Sequence, residues 1–224
     1  MRNSLQLPGE QLSVPEHLSP DSAAPSPSIT LSRYPCLAVA GIVCYPLTVT
    51  PLAVAQPASV QLIDAAVALH RPIVVATLRA APISGRLPLQ EELYPIGCLA
   101  LVHRLVRLHD GTLRVAIEGL ERVRIARCVS DTTLQVDAEI LYDPIEDAGP
   151  AELQLRRVVD AQLGRLAGST ELAVQFDTAA NSEHYGYMVA AGLLARFPLA
   201  DRYAVLAADG LAARLGCLAA LLQA

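Results

Sequence analysis

The chain has 224 residues, 53% of them hydrophobic and 17% charged, which is enough apolar material for one large domain or two small ones. Its net charge of −5 and pI near 5.5 argue against a general nucleic-acid surface, because such surfaces need clustered positive charge. All 17 basic residues are arginine, which excludes chemistry that needs a lysine from this chain, such as a Schiff base, a Ser-Lys dyad or the lysine of a phosphate-binding loop.

Cysteine spacing and the N-terminal sequence predict the cellular setting. The cysteines are odd in number and widely spaced, without a C-x-x-C pair: Cys36, Cys44, Cys98, Cys128 and Cys217. They are typical of free thiols in a reducing cytosol. The N-terminus lacks the apolar segment of a signal peptide, and prolines interrupt the longest apolar stretch. We therefore expect a cytoplasmic protein with no membrane span, no metal and no cofactor.

The N-terminal part of the chain has mainly β signals after a Ser- and Pro-rich beginning. Residues 1–32 are predicted to be a disordered or loosely packed leader. The elements expected next are short strands at 36–43 and 48–54, a helix over 58–69 with Ser59 as N-cap, a buried strand over 73–78 and a loop over 79–92.

A long β-hairpin is predicted over residues 94–125. Its two apolar runs flank Asp110-Gly111, a strong signal for a type I′ turn. In that register Val106 faces Val115. One face is then apolar, with Val102, Val106, Leu108, Leu113, Val115 and Ile117. The other is polar, with His103, Arg107, Arg114 and Glu118. Gly119 is expected to mark a bulge or bend.

The C-terminal third has helical periodicity. One further strand is predicted at 132–141, followed by a turn-rich boundary at 143–150. Helices are predicted over 151–167, 183–197, 199–208 and 210–223. The pattern indicates an α+β fold, with a β-rich domain over 33–143 and a helical subdomain over 150–224.

Four stretches, in this order, resemble the N-terminal substrate-recognition domain of the ATP-dependent Lon protease family. They are Val43-Cys-Tyr-Pro with Thr50-Pro51-Leu52, Glu92 to Ala100 (ELYPIGCLA), Leu108-His-Asp-Gly-Thr with Ile117 to Arg122, and Leu199 to Ala207 with Arg214-Leu215. The chain departs from the family pattern where Leu47 replaces a glycine, Cys98 replaces a threonine, and Asp201-Arg202-Tyr203 replaces Glu-Lys-Gln.

This resemblance implies a PUA-like β-barrel followed by an α-helical bundle. It also implies a non-catalytic module that binds unfolded or tagged polypeptides and acts as an adaptor or regulator of proteolysis, with a protease among its partners. Because the chain ends where the Lon ATPase would begin, we expect a stand-alone protein without the motor or the protease. Neither nucleic acid nor membrane is expected as a partner.

Two proline-punctuated apolar loops are the candidate polypeptide-binding surface, since exposed apolar patches often mark protein-binding sites. The first contributes Tyr45, Leu47, Val49 and Leu52, and the second contributes Ile83, Leu87 and Leu89. The alternative is that both loops simply pack onto the barrel.

Other interpretations rest on single features. His103 opposite Glu118 resembles half of the catalytic apparatus of a small hydrolase, although a cross-strand polar pair on a solvated face has the same pattern. Arg122 and Arg124 would hold an anion or form salt bridges. RNA binding is the alternative that a PUA-like fold suggests, and the apolar segment 210–223 suggests self-association.

Overall fold

The computed structural model describes residues 30–82, 86–130, 132–165 and 170–224. The strands are β1 (Ser32–Ala40), β2 (Val49–Val54), β3 (Ile73–Leu78), β4 (Ile96–Arg107), β5 (Leu113–Ser130) and β6 (Leu134–Ile140). The helices are α1 (Pro57–Ala68), α2 (Gly149–Leu163), α3 (Thr170–Asp177), α4 (Ser182–Leu193), α5 (Leu199–Ala207) and α6 (Leu211–Gln223), with a 3-10 turn at Gln90–Glu92. The predicted α+β class is confirmed, and the domain boundaries stay a prediction.

The strands form one sheet in the order β2-β5-β4-β3-β1-β6, and β5 also pairs with β6. The pairing therefore closes into a ring of five strands, which is the arrangement that a small barrel requires. The pair β1–β3 is parallel and the other pairs are antiparallel. Among the described strands, β2 has a single partner, and Pro51 within it is typical of an edge strand because it has no N–H to donate.

Strand β5 bends at Gly119, where its register against β4 shifts by one residue. A side chain at this position would collide with the Tyr45 carbonyl oxygen. The glycine backbone instead bonds the turn before β2: its N–H donates to Thr48 O and its carbonyl accepts from the Leu47 N–H, both at 2.9 Å. The predicted bulge or bend is confirmed as a bulge in the register. The close approach of this turn explains why a glycine occupies the position.

The turn of the β4–β5 hairpin is not the predicted type I′ turn. A type I′ turn needs φ > 0 at both central residues, but Gly111 is left-handed with φ 83° and Asp110 is not. The Gly111 N–H donates to Leu108 O at 3.1 Å, and the Leu108 N–H donates to Thr112 O at 2.8 Å. The connection is therefore a longer, bulged turn.

This longer turn moves the hairpin register by one residue from the prediction. Arg107 faces Leu113, and Val106, predicted to be buried, faces Arg114 on the solvent side. His103 is an extra residue at a second register shift in β4. On β5 the residues predicted to face the core are indeed buried: Leu113, Val115 and Ile117. A slip of one residue exchanges the two faces of a strand, which explains the error at Val106.

Helix α1 packs against β1 and β4. It begins at Pro57, whose fixed φ suits the first helical position, and Gln56 is its N-cap. The prediction of Ser59 as N-cap is therefore wrong. The helix buries Leu62, Ile63 and Ala66 in a cluster with the inner residues of these strands.

The C-terminal helices enclose a second apolar cluster. Helix α6 packs mainly on α2 and buries Leu215, Leu218, Ala219 and Leu222. Most of the apolar surface of segment 210–223 is thus used inside the chain, which weakens the argument for self-association through it. Helix α3 was not predicted from the sequence. Its buried Phe176 packs edge-on against Tyr185, with ring centroids 6.4 Å apart.

A partly buried ion cluster joins the sheet to the helices. We call it the seam, and its four residues are Arg122, Asp143, Glu183 and Arg214. Arg122 of β5 and Arg214 of α6 both donate to Asp143, and Arg214 also reaches Glu183 at 3.3 Å. The two arginine side chains are only 4% and 2% exposed. Arg122 also donates to two carbonyl oxygens at the end of α5, at 3.1 and 2.8 Å.

Candidate functional site

Two of the four residues predicted to bind from the first loop, Tyr45 and Leu52, are buried. The Tyr45 ring stacks on Tyr187 with centroids 5.8 Å apart, and its hydroxyl donates to the carbonyl of Arg202 at 2.7 Å. Leu52 points into the cluster beneath α1. The prediction that Tyr45 and Leu52 are exposed is wrong, because the turn folds over the sheet and its aromatic ring enters the core shared with the helices.

Leu47 and Val49 of the same loop are exposed. Leu47 has φ 58°, in the left-handed region that favours glycine. This conformation gives a physical reason for the glycine that the family pattern has at this position. The hydrogen bond to Gly119 holds the turn, so an apolar side chain is kept at the surface in a strained backbone conformation.

Val49 belongs to a solvated face formed by β2, β5 and β4, which we call the outer face. Residues opposite one another on antiparallel strands point to the same side of a sheet. The register gives three such rows: Val49, Glu118 and Leu101; Pro51, Ala116 and Arg104; Ala53, Arg114 and Val106. Val49 is 57% exposed, Leu101 37% and Val106 58%. Three large apolar side chains thus lie exposed on one three-stranded face.

Two arginines give the outer face a positive character. Arg104 and Arg114 form no ion pair with any residue that the structure describes. Glu118 lies 3.6 Å from His103. The face therefore offers apolar contacts together with guanidinium groups that are free to donate hydrogen bonds.

The second predicted loop borders a cavity of about 210 Å³. Leu87 lines this cavity and Leu89 is exposed, whereas Ile83 lies outside the described residues. The cavity floor consists of Cys36, Leu62, Leu78 and Leu134. The Arg86 guanidinium donates two hydrogen bonds to the Glu92 carboxylate, at 2.7 and 2.6 Å. These bonds are the main reason that the pKa of Glu92 is lowered to about 2.

The structure does not bring the two predicted loops to one site. No residue of 45–52 is among those lining the cavity, and no described residue of 86–89 pairs with the outer face. Leu47 and Val49 border the outer face, and Leu87 borders the cavity. Their role in binding stays a prediction.

His103 and Glu118 are neighbours, as predicted, but both are well exposed. His103 makes no hydrogen bond to a serine, threonine or cysteine within the described part of the chain, so the geometry supplies no nucleophile beside it. The cross-strand polar pair is the interpretation that fits this arrangement.

Arg122 and Arg124 have different environments. Arg122 is buried in the seam, where Asp143 neutralises it, and Arg124 is exposed. The prediction of a salt bridge at Arg122 is confirmed. Arg214 and Arg122 together lower the pKa of Asp143, with the hydrogen bond from Arg214 the largest cause.

Clustered metal ligands and membrane-spanning helices are both absent from the residues that the structure describes. No group of three or more His, Cys, Asp or Glu side chains is placed to hold a metal ion there. In the same part of the chain, no helix has both the length and the apolar character needed to span a bilayer.

Leu101 was not among the predicted surface residues, and Val106 was predicted on the wrong face of β4. The missing signal is the bulge at His103, which no local pattern marked, together with the longer turn at Gly111. With the correct turn, the alternation along β4 places Val106 on the outer face, and the extra residue at His103 is needed to bring Leu101 to the same face.

Known proteins match this chain in both sequence and fold. The family model described as the ATP-dependent protease La (LON) substrate-binding domain matches residues 33–224. Lon protease 1 of Herpetosiphon aurantiacus is 31% identical over 186 residues, which cover 80% of this chain and 23% of that protein. The Lon protease of Escherichia coli K12 is 28% identical over 193 residues, covering 84% and 24%. The chain thus spans about a quarter of the length of these relatives.

Two solved structures share the fold. The N-terminal domain of the Mycobacterium avium complex Lon protease superposes with a TM-score of 0.69 at 19% identity, covering 86% of this chain and 98% of that one. A Lon N-terminal domain protein from Xanthomonas campestris gives 0.57 at 17% identity, covering 84% and 98%. Sequence and fold agree: the chain belongs to the family of ATP-dependent protease La (LON) substrate-binding domains.

Proposed function

We propose that this protein is a non-catalytic module that binds unfolded polypeptides through its outer face. The observation that carries the proposal is the row pattern that exposes Val49, Leu101 and Val106 together, in a chain of the substrate-binding family. Unfolded chains expose apolar side chains that folded proteins bury, so a solvated apolar face is complementary to them.

The chemistry of the outer face suits a partner of varied sequence. Burial of apolar surface is non-directional and contributes about 25 cal/mol per Å². Arg104 and Arg114 can donate to backbone carbonyls or to acidic side chains of a bound chain. We therefore expect weak, sequence-tolerant binding that favours apolar segments with acidic residues nearby.

A binding assay with a matched control tests this surface. Fluorescence anisotropy would follow a labelled, denatured casein-like polypeptide titrated with the chain and with a variant carrying Val49→Ser, Leu101→Ser and Val106→Ser. We expect the dissociation constant of the variant to rise about tenfold or more, because each lost apolar side chain removes roughly 1 kcal/mol or less of burial. The control variant carries Leu153→Ser and Val174→Ser, which are 54% and 61% exposed on the helices.

Either of two outcomes would reject the proposal. One is that the unmodified chain shows no association at micromolar concentrations. The other is that the helix control weakens binding as much as the outer-face variant does, which would move the contact surface to the helices.

We further propose that binding modulates proteolysis, with the chain acting as an adaptor or regulator beside a protease. The test adds the chain to a purified Lon-type protease and measures the degradation rate of the same polypeptide. A change in rate that the outer-face variant abolishes supports the role. Equal rates with and without the chain would leave polypeptide binding in place but reject the adaptor role.

A further inference from the structure

Strand β2 has one paired edge and one free edge. Within the sheet that the structure describes, it pairs only with β5. Strand β5 is also the one described element that packs extensively on β2. A free strand edge presents backbone N–H and C=O groups that can pair with a further strand. The residues that carry these groups follow from the pairing with β5.

The hydrogen bonds at Gly119 fix which residues of β2 face the free edge. The Gly119 N–H donates to Thr48 O at 2.9 Å, which makes these residues a hydrogen-bonded pair of the antiparallel ladder. Hydrogen-bonded and non-hydrogen-bonded pairs alternate along such a ladder. In the observed register Thr50 is therefore bonded to β5, whereas the N–H and C=O of Val49 point to the free edge.

The same alternation places Pro51 and Ala53 beside Val49 on the free edge, and we call these residues the open edge. Pro51 agrees with this assignment, because a proline has no N–H and would interrupt the ladder if it faced β5. None of the loop and turn hydrogen bonds within the described residues involves the main chain of the open edge. All its residues are exposed, and their side chains lie on the outer face.

We propose that an extended segment of the bound polypeptide pairs with β2 along the open edge and becomes a further strand of the sheet. This inference rests on the proposed function and adds the conformation in which the polypeptide is recognised. Main-chain pairing provides affinity that depends little on sequence, which suits a module for unfolded chains. Folded proteins have most of their N–H and C=O groups paired already, so the open edge favours the unfolded state.

The rows of the outer face predict the sequence pattern of the bound segment. A paired segment extends each row by one residue, because residues opposite one another on neighbouring strands point to the same side. Alternate side chains of the segment then lie beside Val49 and Ala53. An acidic side chain beside Ala53 shares a row with Arg114. We therefore expect segments in which apolar residues alternate along the chain, with an acidic residue among them.

Pro51 disfavours a second copy of β2 as the occupant. In a two-fold pairing centred on this residue, the prolines of the two copies face each other and neither supplies an N–H. An unrelated strand has an N–H at that position, which donates to the Pro51 carbonyl. Proline on an edge is also a feature by which proteins limit edge-to-edge association. The open edge therefore fits an unrelated extended segment better than a copy of this chain.

Ala53→Pro tests the pairing, because it removes an N–H from the open edge and keeps an apolar side chain there. The ladder with β5 should stay intact, since the Ala53 N–H points away from β5. The matched control Ala53→Val keeps the N–H and enlarges the apolar side chain. Fluorescence anisotropy with the labelled, denatured casein-like polypeptide compares both variants with the unmodified chain. We expect Kd to rise about fivefold or more for Ala53→Pro, and to stay unchanged or fall for Ala53→Val.

A scan of the bound peptide provides a second measurement, which applies even if Ala53→Pro does not fold. The probe is a dye-labelled synthetic peptide in which valine alternates with threonine, with a glutamate in place of one threonine. Each amide is N-methylated in turn. Only every second N–H of a paired strand points to its neighbour. Binding to the unmodified chain should therefore weaken about fivefold or more at alternate positions, and less than about twofold at the positions between them.

The outcomes separate the open edge from the outer face. Ala53→Pro binding as tightly as the unmodified chain, or Ala53→Val weakening binding as much as Ala53→Pro, would overturn the edge pairing and leave the proposed function in place. An N-methylation effect without alternation would overturn it as well. Dimerisation of the unmodified chain that Ala53→Pro abolishes would identify a second copy as the occupant instead. If the unmodified chain binds neither the polypeptide nor the peptide, the proposed function and the edge pairing both fail.

Discussion

Two of the arginines on strand β5, Arg114 and Arg122, lie in opposite environments. Arg114, in its first half, stands on the open outer face between β2 and β4. Arg122, beyond the bend at Gly119, is covered by the helices and locked to Asp143. The same strand thus contributes to a solvated surface at one end and to the partly buried seam at the other. The helices pack at the seam end of the strand, so the outer face at the other end stays exposed to solvent.

Two aspartates, Asp143 and Asp137, each accept hydrogen bonds from two arginines. They allow a buried and an exposed environment to be compared directly. Asp143 lies in the seam, with arginines that are 4% and 2% exposed. Asp137 of β6 holds Arg33 and Arg127, which are 50% and 66% exposed. The hydrogen-bond pattern is similar, so burial of the arginines is the main difference between the two sites.

The largest effect is expected for Asp143→Asn. It leaves two buried guanidinium groups without their shared anion, and breaking a buried pair costs about 3–5 kcal/mol. Asp137→Asn should cost much less, because exposed pairs contribute little. Urea unfolding of both variants measures the difference. Equal losses would show that burial at the seam does not matter.

A smaller effect is expected at the bend itself. Gly119→Ala should cost about 1–3 kcal/mol, because the new methyl group collides with the Tyr45 carbonyl and crowds the Cys98 sulfur. The matched control is Gly216→Ala in α6, where a Cβ meets nothing within 4 Å. The free energy of unfolding of that control variant should be unchanged or should rise by up to about 1 kcal/mol. Thermal unfolding separates the two, and a neutral Gly119→Ala would contradict the tight approach of the turn.

Lowering the pH should reduce the stabilisation that the seam gives to the folded protein. The pKa of Asp143 is lowered in the folded state by Arg214 and Arg122. In the unfolded chain the pKa of this carboxyl is about 3.9, and above that pH its full contribution to stability is present. As the pH falls toward the lower folded-state pKa, the unfolded chain binds more protons than the folded one, and the contribution is lost. Urea midpoints between about pH 7 and pH 3 should fall less steeply for Asp143→Asn than for the unmodified chain. Parallel curves would contradict this assignment.

The smallest change in stability is expected for Leu47→Gly. Relief of the left-handed strain and the greater freedom of glycine when unfolded nearly cancel, so stability should change by about 1 kcal/mol or less. Polypeptide binding should nevertheless weaken a few-fold, because an exposed apolar side chain is lost next to the outer face. A large loss of stability would instead mean that Leu47 serves packing rather than recognition.

The sequence predicted most elements but not how they are paired. Strand β3, the bend at Gly119 and helices α5 and α6 follow from apolar periodicity and from turn residues, which are local signals. The hairpin register depends on Gly111 alone being left-handed and on an extra residue at His103, and neither has a unique sequence signature.

The candidate site was predicted only in part for the same reason. Tyr45 reads as a loop residue, but its partners Tyr187 and Arg202 are far along the chain. Leu47 and Val49 are exposed, as predicted from their proline-punctuated apolar loop. Val106 was predicted to be buried because the predicted hairpin register was wrong by one residue. Burial by a distant helix is a tertiary effect that local patterns cannot report.

Hydrogen exchange in the presence of a bound polypeptide tests the outer face most directly. The chain is labelled with and without a saturating denatured polypeptide, and exchange is read by mass spectrometry. We predict slower amide exchange in β2, in the second half of β4 and in the first half of β5. Amide exchange in α2 and α6 should be unchanged. Protection confined to the helices or to residues 86–95, with β2 and the hairpin unaffected, would contradict the outer face as the binding surface.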